Sequence, residues 1–263
     1  MIVMFAIKTM SRLFIFFLTS ISINSYAKVD VINESHDSIT LSIEGQIKPS
    51  DYTDFIQKSN ESKKLIVKLN STGGSLETAI KIGQNLRKKS ASAFIYDGST
   101  CASACVFVLM GAPIRFIETG AKVIIHRFYE PYDSTINLNE QKKKYIKIEL
   151  FVSNYLKEMN IPVSLLDEIV SVSSTSFRVL NSDELAKFRL NKYDPYYEEA
   201  MQAKEAKKYG ISKQEYHARF SRLYICTSDF NEAKRLNEIE GVSVEVAYSS
   251  VNKCRDDVLN GLR

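Results

Sequence analysis

The sequence is poor in the residues that most often carry catalysis or hold metals. Among its 263 residues there are only three histidines and four cysteines, and 35 basic against 31 acidic side chains leave a net charge of +4. A balance so close to neutrality gives no reason to expect nucleic acid as a partner. No cysteine or histidine pair has the spacing of a structural zinc site, so we expect neither a metal nor another cofactor.

Long hydrophobic runs are also scarce, and the one clear run lies in the first 27 residues. Lys8 and Arg12 precede the apolar residues 13–18, and small residues occupy the two positions of Ser25–Ala27 that a signal peptidase reads. The pattern predicts a signal peptide that is cleaved after residue 27, and therefore an exported protein, periplasmic or secreted. An uncleaved membrane anchor is the alternative, although this apolar core is short for a full span.

The chain shows no internal repeat and no low-complexity linker. The length that remains after the first 27 residues suits one α/β domain with a sizeable core and a small C-terminal extension. The best boundary is 191–197, where an aspartate and a proline interrupt a helical pattern. We therefore divide the sequence into a signal peptide (1–27), an α/β domain (28–194) and an extension (195–263).

Strand and helix patterns alternate through the α/β domain. Strands are expected at 39–47, 65–69, 93–96, 114–117 and 122–126, and helices at 50–58, 75–89, 102–110 and 139–159, followed by a segment at 162–170. Such alternation is typical of largely parallel strands covered by helices.

The pattern in the extension is less distinct. Helices are expected at 198–209 and 213–221, followed by a strand-helix-strand pattern at 222–226, 231–238 and 242–248. The extension is therefore expected to be either α+β or helical.

A serine marks the start of one of the most apolar predicted helices. The segment Gly98–Gly111 places Ser103 at a strand-to-helix turn. A hydroxyl there lies next to unpaired backbone N–H groups and the positive end of the helix dipole, and both can stabilise an oxyanion. Ser103 is therefore a candidate nucleophile, although small residues at a tight turn also pack well without any catalytic role.

Two further motifs could supply the rest of a catalytic site. A β-branched strand ends at Gly73 and Gly74, and glycines let the backbone approach another group and turn N–H groups toward it. His126 ends an apolar strand, and a neutral imidazole near a serine can take its proton and return it. Each motif alone is weak, since Ser75 can be a simple helix N-cap and a lone histidine is usually structural. Together with Ser103 they predict a hydrolytic site.

The order of these motifs carries a family resemblance. Asn70–Gly74, then Ala102–Ala104, then His126 resembles the Clp protease proteolytic subunit (ClpP) and its secreted relatives in the ClpP/crotonase superfamily. The similarity extends from about residue 39 to residue 192. It implies repeated β-β-α units with the active site between them, and it identifies 137–160 as the long helix that follows the catalytic histidine.

The resemblance also implies residue roles. It makes Ser103 the nucleophile and His126 the general base, and it places Gly73, Gly74 and the N–H of Ala104 where the family builds its oxyanion hole.

The third member of the triad stays open. The family has an aspartate where this chain has Ser-Ser-Thr-Ser at 173–176. Candidates for orienting His126 are the hydroxyls of this turn, Ser176 among them, and the carboxylates of Asp167 and Asp183. A site without a carboxylate loses tautomer control and stabilisation of the imidazolium. We therefore expect a slow dyad, with the histidine oriented by a hydroxyl or a backbone carbonyl.

The leading hypothesis is an exported serine hydrolase, a peptidase that forms an acyl-enzyme on Ser103. Because relatives of this kind depend on ATP-driven unfoldases and an exported enzyme has no ATP supply, we expect peptide or unfolded-protein substrates, no ATP-dependent unfoldase, and a homo-oligomer as one option. The alternative is a catalytically weak or inactive protein that keeps the fold for binding. A crotonase-type acyl-CoA enzyme is disfavoured, since its chemistry needs no serine nucleophile.

Four cysteines in an exported chain allow three disulfide pairings. We favour Cys226 with Cys254, because both lie in the small extension, which gains most from a cross-link. Cys101 and Cys105 then flank Ser103. They either form a bridge that makes the nucleophile turn rigid or remain two buried thiols.

Overall fold

The computed structural model describes residues 28–59, 63–128, 135, 137–173 and 175–263. The signal peptide predicted for 1–27 therefore lies outside the described residues. Within them, a mixed sheet with covering helices is followed by a helical extension. None of the described helices has the length and apolar character needed to cross a bilayer.

The sheet contains nine strands within the described residues. They are β1 (Lys28–Glu34), β2 (Ser38–Ile47), β3 (Lys64–Gly74), β4 (Ser92–Ile95), β5 (Thr100–Ala102), β6 (Ile114–Ile117), β7 (Lys122–Ile125), β8 (Arg178–Val179) and β9 (Lys192–Tyr193). Seven of them follow the order β8-β7-β5-β3-β4-β6-β9, and β2 pairs with both β1 and β3.

The central strand is β3, which pairs in parallel with β2, β4 and β5. Its residues alternate, with Leu65, Val67 and Leu69 buried, as a strand with one face on a core requires. Strand β5 meets β3 at Cys101 and meets β7 at Val123. Parallel strands end at the same edge of a sheet, so the segments that follow β3, β5 and β7 come together there.

Helices pack against the sheet or form the extension. They are α1 (Asp51–Lys58), α2 (Leu76–Lys88), α3 (Ala104–Gly111), α4 (Leu138–Glu158), α5 (Ser164–Ser171), α6 (Ser182–Lys187), α7 (Pro195–Lys208), α8 (Lys213–Phe220), α9 (Thr227–Glu238), α10 (Val244–Ala247) and α11 (Ser249–Leu259). Every residue of α3 is buried, so its apolar sequence serves the core. The repeated strand-and-helix architecture confirms the α/β, ClpP-like fold class expected from the sequence.

The extension is helical, which corrects the strands expected at 222–226 and 242–248. Leu223–Cys226 form a 3₁₀ turn, and the second segment contains the short helix α10. The alternating valines that resemble a strand bury no face, since Val244 and Val246 are 61% and 64% exposed. The sulfurs of Cys226 and Cys254 lie 2.00 Å apart and link the 3₁₀ turn to α11.

This cross-link leads to a stability prediction. Because a link between residues 28 positions apart restricts the unfolded chain, the double variant Cys226→Ala/Cys254→Ala should lose about 2–4 kcal/mol of stability in the extension. Hydrogen exchange should show faster exchange of the α9 and α11 amides, while the amides of α2 serve as the internal control. Unchanged protection of α9 and α11 would contradict the prediction.

A buried charge cluster joins the domain to the extension. Asp194 is fully buried, and its Oδ1 accepts hydrogen bonds of 3.0 Å from the first backbone N–H groups of α7. Its Oδ2 lies 3.1 Å from Arg87 Nη1 and 3.7 Å from Nη2 of Arg115, which is also fully buried. Burial raises the pKa of the Asp194 carboxyl, but the Tyr197 N–H, the Asn160 amide and Arg87 outweigh it, so the pKa lies below its usual value. The predicted boundary is therefore tied to the domain core.

Candidate active site

Ser103 occupies the turn between β5 and α3. Its backbone has φ 54° and ψ −122°, a conformation that a residue with a Cβ adopts only under strain. Its N–H donates to the Ile124 carbonyl at 2.9 Å, and its own carbonyl accepts from the Val106 N–H at 3.0 Å. The hydroxyl makes no helix-capping hydrogen bond. The turn is thus fixed through its backbone, which leaves the hydroxyl available.

Ser103 and His126 line one cavity of about 520 Å³ together with Gly74 and Ala104. The polar part of the remaining wall comes from Gln46 and Thr72, and the apolar part from Leu76, Val106, Phe107, Ile125, Phe128, Ile148 and Ile169. We call this space the Ser103 cavity. Among the described residues no hydrogen bond joins the Ser103 hydroxyl to the imidazole, and such bonds commonly tighten only when substrate is bound.

A disulfide spans the nucleophile turn. The sulfurs of Cys101 and Cys105 lie 2.04 Å apart, and both residues are fully buried. Of the two alternatives that the sequence leaves open, the structure has the bridge. It ties the end of β5 to the first turn of α3 on either side of Ser103, so it restricts the segment that carries the hydroxyl.

Gly73 allows the Gly-Gly turn to approach the nucleophile closely. Its φ is +94°, and a Cβ there would lie 2.6 Å from Ser103 Cβ and 2.9 Å from the Ala104 nitrogen. Its own N–H donates to Ser71 Oγ at 3.1 Å, and that hydroxyl donates to the Gly45 carbonyl at 2.5 Å. The Gly73 N–H is therefore already engaged, and what this residue supplies is space.

Two of the predicted oxyanion-hole residues line the Ser103 cavity itself. Gly74 and Ala104 both contribute to its wall. The N–H of Ala104 belongs to the first turn of α3, where helical N–H groups have no partner within the helix. A negatively charged oxygen beside Ser103 could accept a hydrogen bond there, at the positive end of the helix dipole.

The close approach of Gly73 can be tested by comparison with Gly98. Gly73→Ala should destabilise the protein by roughly 3 kcal/mol, because it combines a positive φ with a steric clash. Gly98 also has a positive φ of 74°, but a Cβ there would meet nothing within 4 Å. Gly98→Ala should therefore lower the free energy of unfolding by only about 1–2 kcal/mol. Equal losses in denaturant titrations of the two variants would count against the close approach.

The imidazole of His126 is oriented by a backbone carbonyl. Its Nδ1 lies 2.7 Å from the carbonyl oxygen of Arg127. A carbonyl only accepts hydrogen bonds, so in the neutral ring Nδ1 carries the proton and Nε2 has the free lone pair. This is the tautomer that a general base acting through Nε2 requires.

The structure brings none of the three candidate third members into a hydrogen bond with His126 within its described part. Asp167 lines a separate cavity of about 320 Å³. Asp183 lies in the first turn of α6, and the backbone N–H of Ser176 donates to the Ser173 carbonyl at 3.0 Å. Ser174 lies outside the described residues.

The sequence patterns assign no role to three residues at this site. Two of them, Ser71 and Thr72, lie within the Asn70–Gly74 motif, and the third is Arg127. Period-two alternation along β3 puts Ser71 on the buried face, and a polar residue at a core position was the available signal. No comparable signal marks Arg127, whose role depends on a tertiary contact. Among the described residues, no group of three His, Cys, Asp or Glu side chains is placed to hold a metal ion.

A comparison with known protein families identifies one that covers this part of the chain. The family model for Clp protease matches residues 25–163, more than half of the chain. No curated protein matches. Among solved structures, a mutant of the 1510-N membrane-bound stomatin-specific protease is similar, with 17% sequence identity, 57% of this chain and 75% of that chain covered, and a TM-score of 0.43. On the family match, this chain belongs to the Clp protease family, a family of peptidases.

Proposed function

We propose that the protein is a serine peptidase in which Ser103 is the nucleophile and His126 the general base. The observation that carries the proposal is that the strained Ser103 turn and the imidazole open onto one cavity. Strain of this kind concentrates at functional sites, where it presents a side chain that ordinary backbone would not.

The chemistry follows from the hydrogen-bond donors around the cavity. Nε2 of His126 takes the proton of the Ser103 hydroxyl as its oxygen attacks the acyl carbon, and the N–H groups of Gly74 and Ala104 stabilise the oxyanion. The imidazolium then gives the proton to the leaving amine, and water hydrolyses the acyl-enzyme with His126 again as base. Because a neutral carbonyl stabilises the imidazolium less than a carboxylate does, turnover is slow.

The cavity walls favour peptides with apolar side chains near the cleaved bond. Seven of its thirteen lining residues are large apolar side chains, so burial of an apolar side chain is the main available source of binding energy. We further propose that the protein is exported and acts on peptides or unfolded proteins without an ATP-dependent unfoldase. A homo-oligomer fits the family.

A catalytically weak or inactive binding protein is the second candidate. It is favoured by one observation, which is that within the described residues no carboxylate is hydrogen-bonded to His126.

A fluorophosphonate probe distinguishes the two candidates, because it reacts only with an activated serine. We expect a single adduct on Ser103 after proteolytic mapping by mass spectrometry, and no adduct on nearby Ser99. A folded protein that stays unlabelled at Ser103 would favour the binding candidate.

The role of His126 leads to a further prediction. His126→Ala should reduce peptide hydrolysis by roughly 10²–10⁴-fold, the usual effect of losing a positioned general base. His217→Ala is the matched control, because His217 is an exposed histidine on α8. Equal rates for the two variants would remove His126 from the mechanism.

A further inference from the structure

We propose that Arg127 is the positioning residue that takes the place of the triad's third member. Its carbonyl oxygen orients His126, and its guanidinium fixes that carbonyl by holding the end of α5. The inference rests on the proposed function, since orientation of the imidazole matters for a general base.

The first contact sets the tautomer. His126 Nδ1 lies 2.7 Å from the Arg127 carbonyl oxygen, so the neutral ring is held as the tautomer with its proton on Nδ1. An aspartate would supply the same geometry together with a negative charge. A backbone carbonyl can do so only if the peptide that carries it is prevented from rotating.

The second contact prevents that rotation. Nε of Arg127 donates to the Val170 carbonyl at 2.6 Å, and Nη2 of the same guanidinium donates to the same oxygen. Val170 lies in the last turn of α5, where carbonyl groups lack partners within the helix and the helix dipole is negative. A planar cation with two donors suits this position, and a lysine would supply only a point charge.

Helix α5 lines both cavities. Arg127 and Val170 line the cavity of about 320 Å³ together with Glu149 of α4 and Asp167 of α5. Helix α5 also contributes Ile169 to the Ser103 cavity. We call the two contacts of Arg127, from its carbonyl to His126 and from its guanidinium to the Val170 carbonyl, the Arg127 clamp. The clamp therefore connects the orientation of the base to one wall of the proposed substrate site.

The test combines ring-nitrogen NMR of the full protein with kinetics. In wild type, ¹⁵N shifts should show His126 fixed as the Nδ1–H tautomer. In Arg127→Gln the two ring nitrogens should shift toward the values of a mixed population, and kcat should fall about 10–100-fold with KM changed less than about twofold. Added guanidinium should partly restore kcat in Arg127→Ala.

Arg178→Gln is the matched control. Arg178 also contacts α5, through an ion pair of 2.5 Å with Glu168, and its guanidinium has Glu168 and Glu184 as partners rather than a carbonyl beside His126. This variant should leave the tautomer and kcat unchanged. If Arg127→Gln does not fold, Arg127→Lys, which keeps the charge at the helix end, should show the same NMR change in weaker form.

The outcomes separate the two proposals. An unchanged tautomer in the Arg127 variants, or an equal change in Arg178→Gln, would overturn the clamp. If wild type hydrolyses no peptide but its fixed tautomer is lost in Arg127→Gln, the clamp stands and the peptidase proposal fails.

Discussion

Replacing Ser103 with glycine should abolish peptide hydrolysis and raise the melting temperature at the same time. The hydroxyl is the proposed nucleophile, so we expect a loss on the order of 10⁴-fold or more. The backbone of Ser103, with φ 54° and ψ −122°, stores roughly 1–3 kcal/mol of strain that glycine relieves. Glycine also makes the unfolded chain more flexible at a cost of about 0.4–1 kcal/mol, which leaves a net gain on the order of 1 kcal/mol.

Two control variants separate activity from strain. Ser103→Ala should be equally inactive, but it keeps the Cβ and the strain, so its melting temperature should stay within a few degrees of wild type. Ser99→Gly, four residues earlier at a position without positive φ, should keep activity and lower stability slightly. Peptide hydrolysis by Ser103→Gly would show that Ser103 is not the nucleophile. If Ser103→Gly melts at a lower temperature than Ser103→Ala, the backbone of Ser103 is not strained.

Replacing Asp194 with alanine should destabilise the protein by about 3–5 kcal/mol, because Arg115 and Arg87 would lose their buried counter-charge. The same change removes the N-cap of α7, which contributes on the order of 1 kcal/mol. Asp183→Ala is the matched control, since Asp183 is an exposed aspartate in the first turn of α6, and it should cost less than about 1 kcal/mol. Urea unfolding of both variants measures the difference.

The cluster also has a pH signature. The pKa of Asp194 is lower in the folded protein than its ordinary value. The contribution of its charge to the free energy of unfolding is therefore complete above about pH 4 and is lost as the pH falls through the folded pKa. The difference in unfolding free energy between wild type and Asp194→Asn should therefore shrink below about pH 4. A difference that is the same at pH 3 and pH 7 would show that the carboxylate charge does not stabilise the fold.

The sequence predicts best where one residue pattern decides the local structure. The strand expected at 114–117 is Ile114–Ile117 in the structure, and the strand before Gly73 continues through the glycines to Gly74. Strand β3 follows from a β-branched run that buries Leu65, Val67 and Leu69 on one face, a signal that depends on neighbours in the chain.

The failures share a different cause, which is dependence on residues far away in the chain. The valines of 242–248 alternate as a strand would, but no strand of the described part of the chain lies beside them, and Val244–Ala247 form α10 between α9 and α11. Arg127 becomes informative only when the fold brings Val170 to it, 43 residues later.

Both ends of the strand path in the sheet are closed by two-residue antiparallel strands, β8 on β7 and β9 on β6. During synthesis, Ser103 and His126 leave the ribosome well before residues 178–193, so a nascent chain carries the proposed nucleophile and base while two parallel strands still have unpaired edges. Unpaired edges recruit other chains. A shortened protein that ends near residue 163, where the family match stops, would therefore aggregate rather than fold into a smaller enzyme.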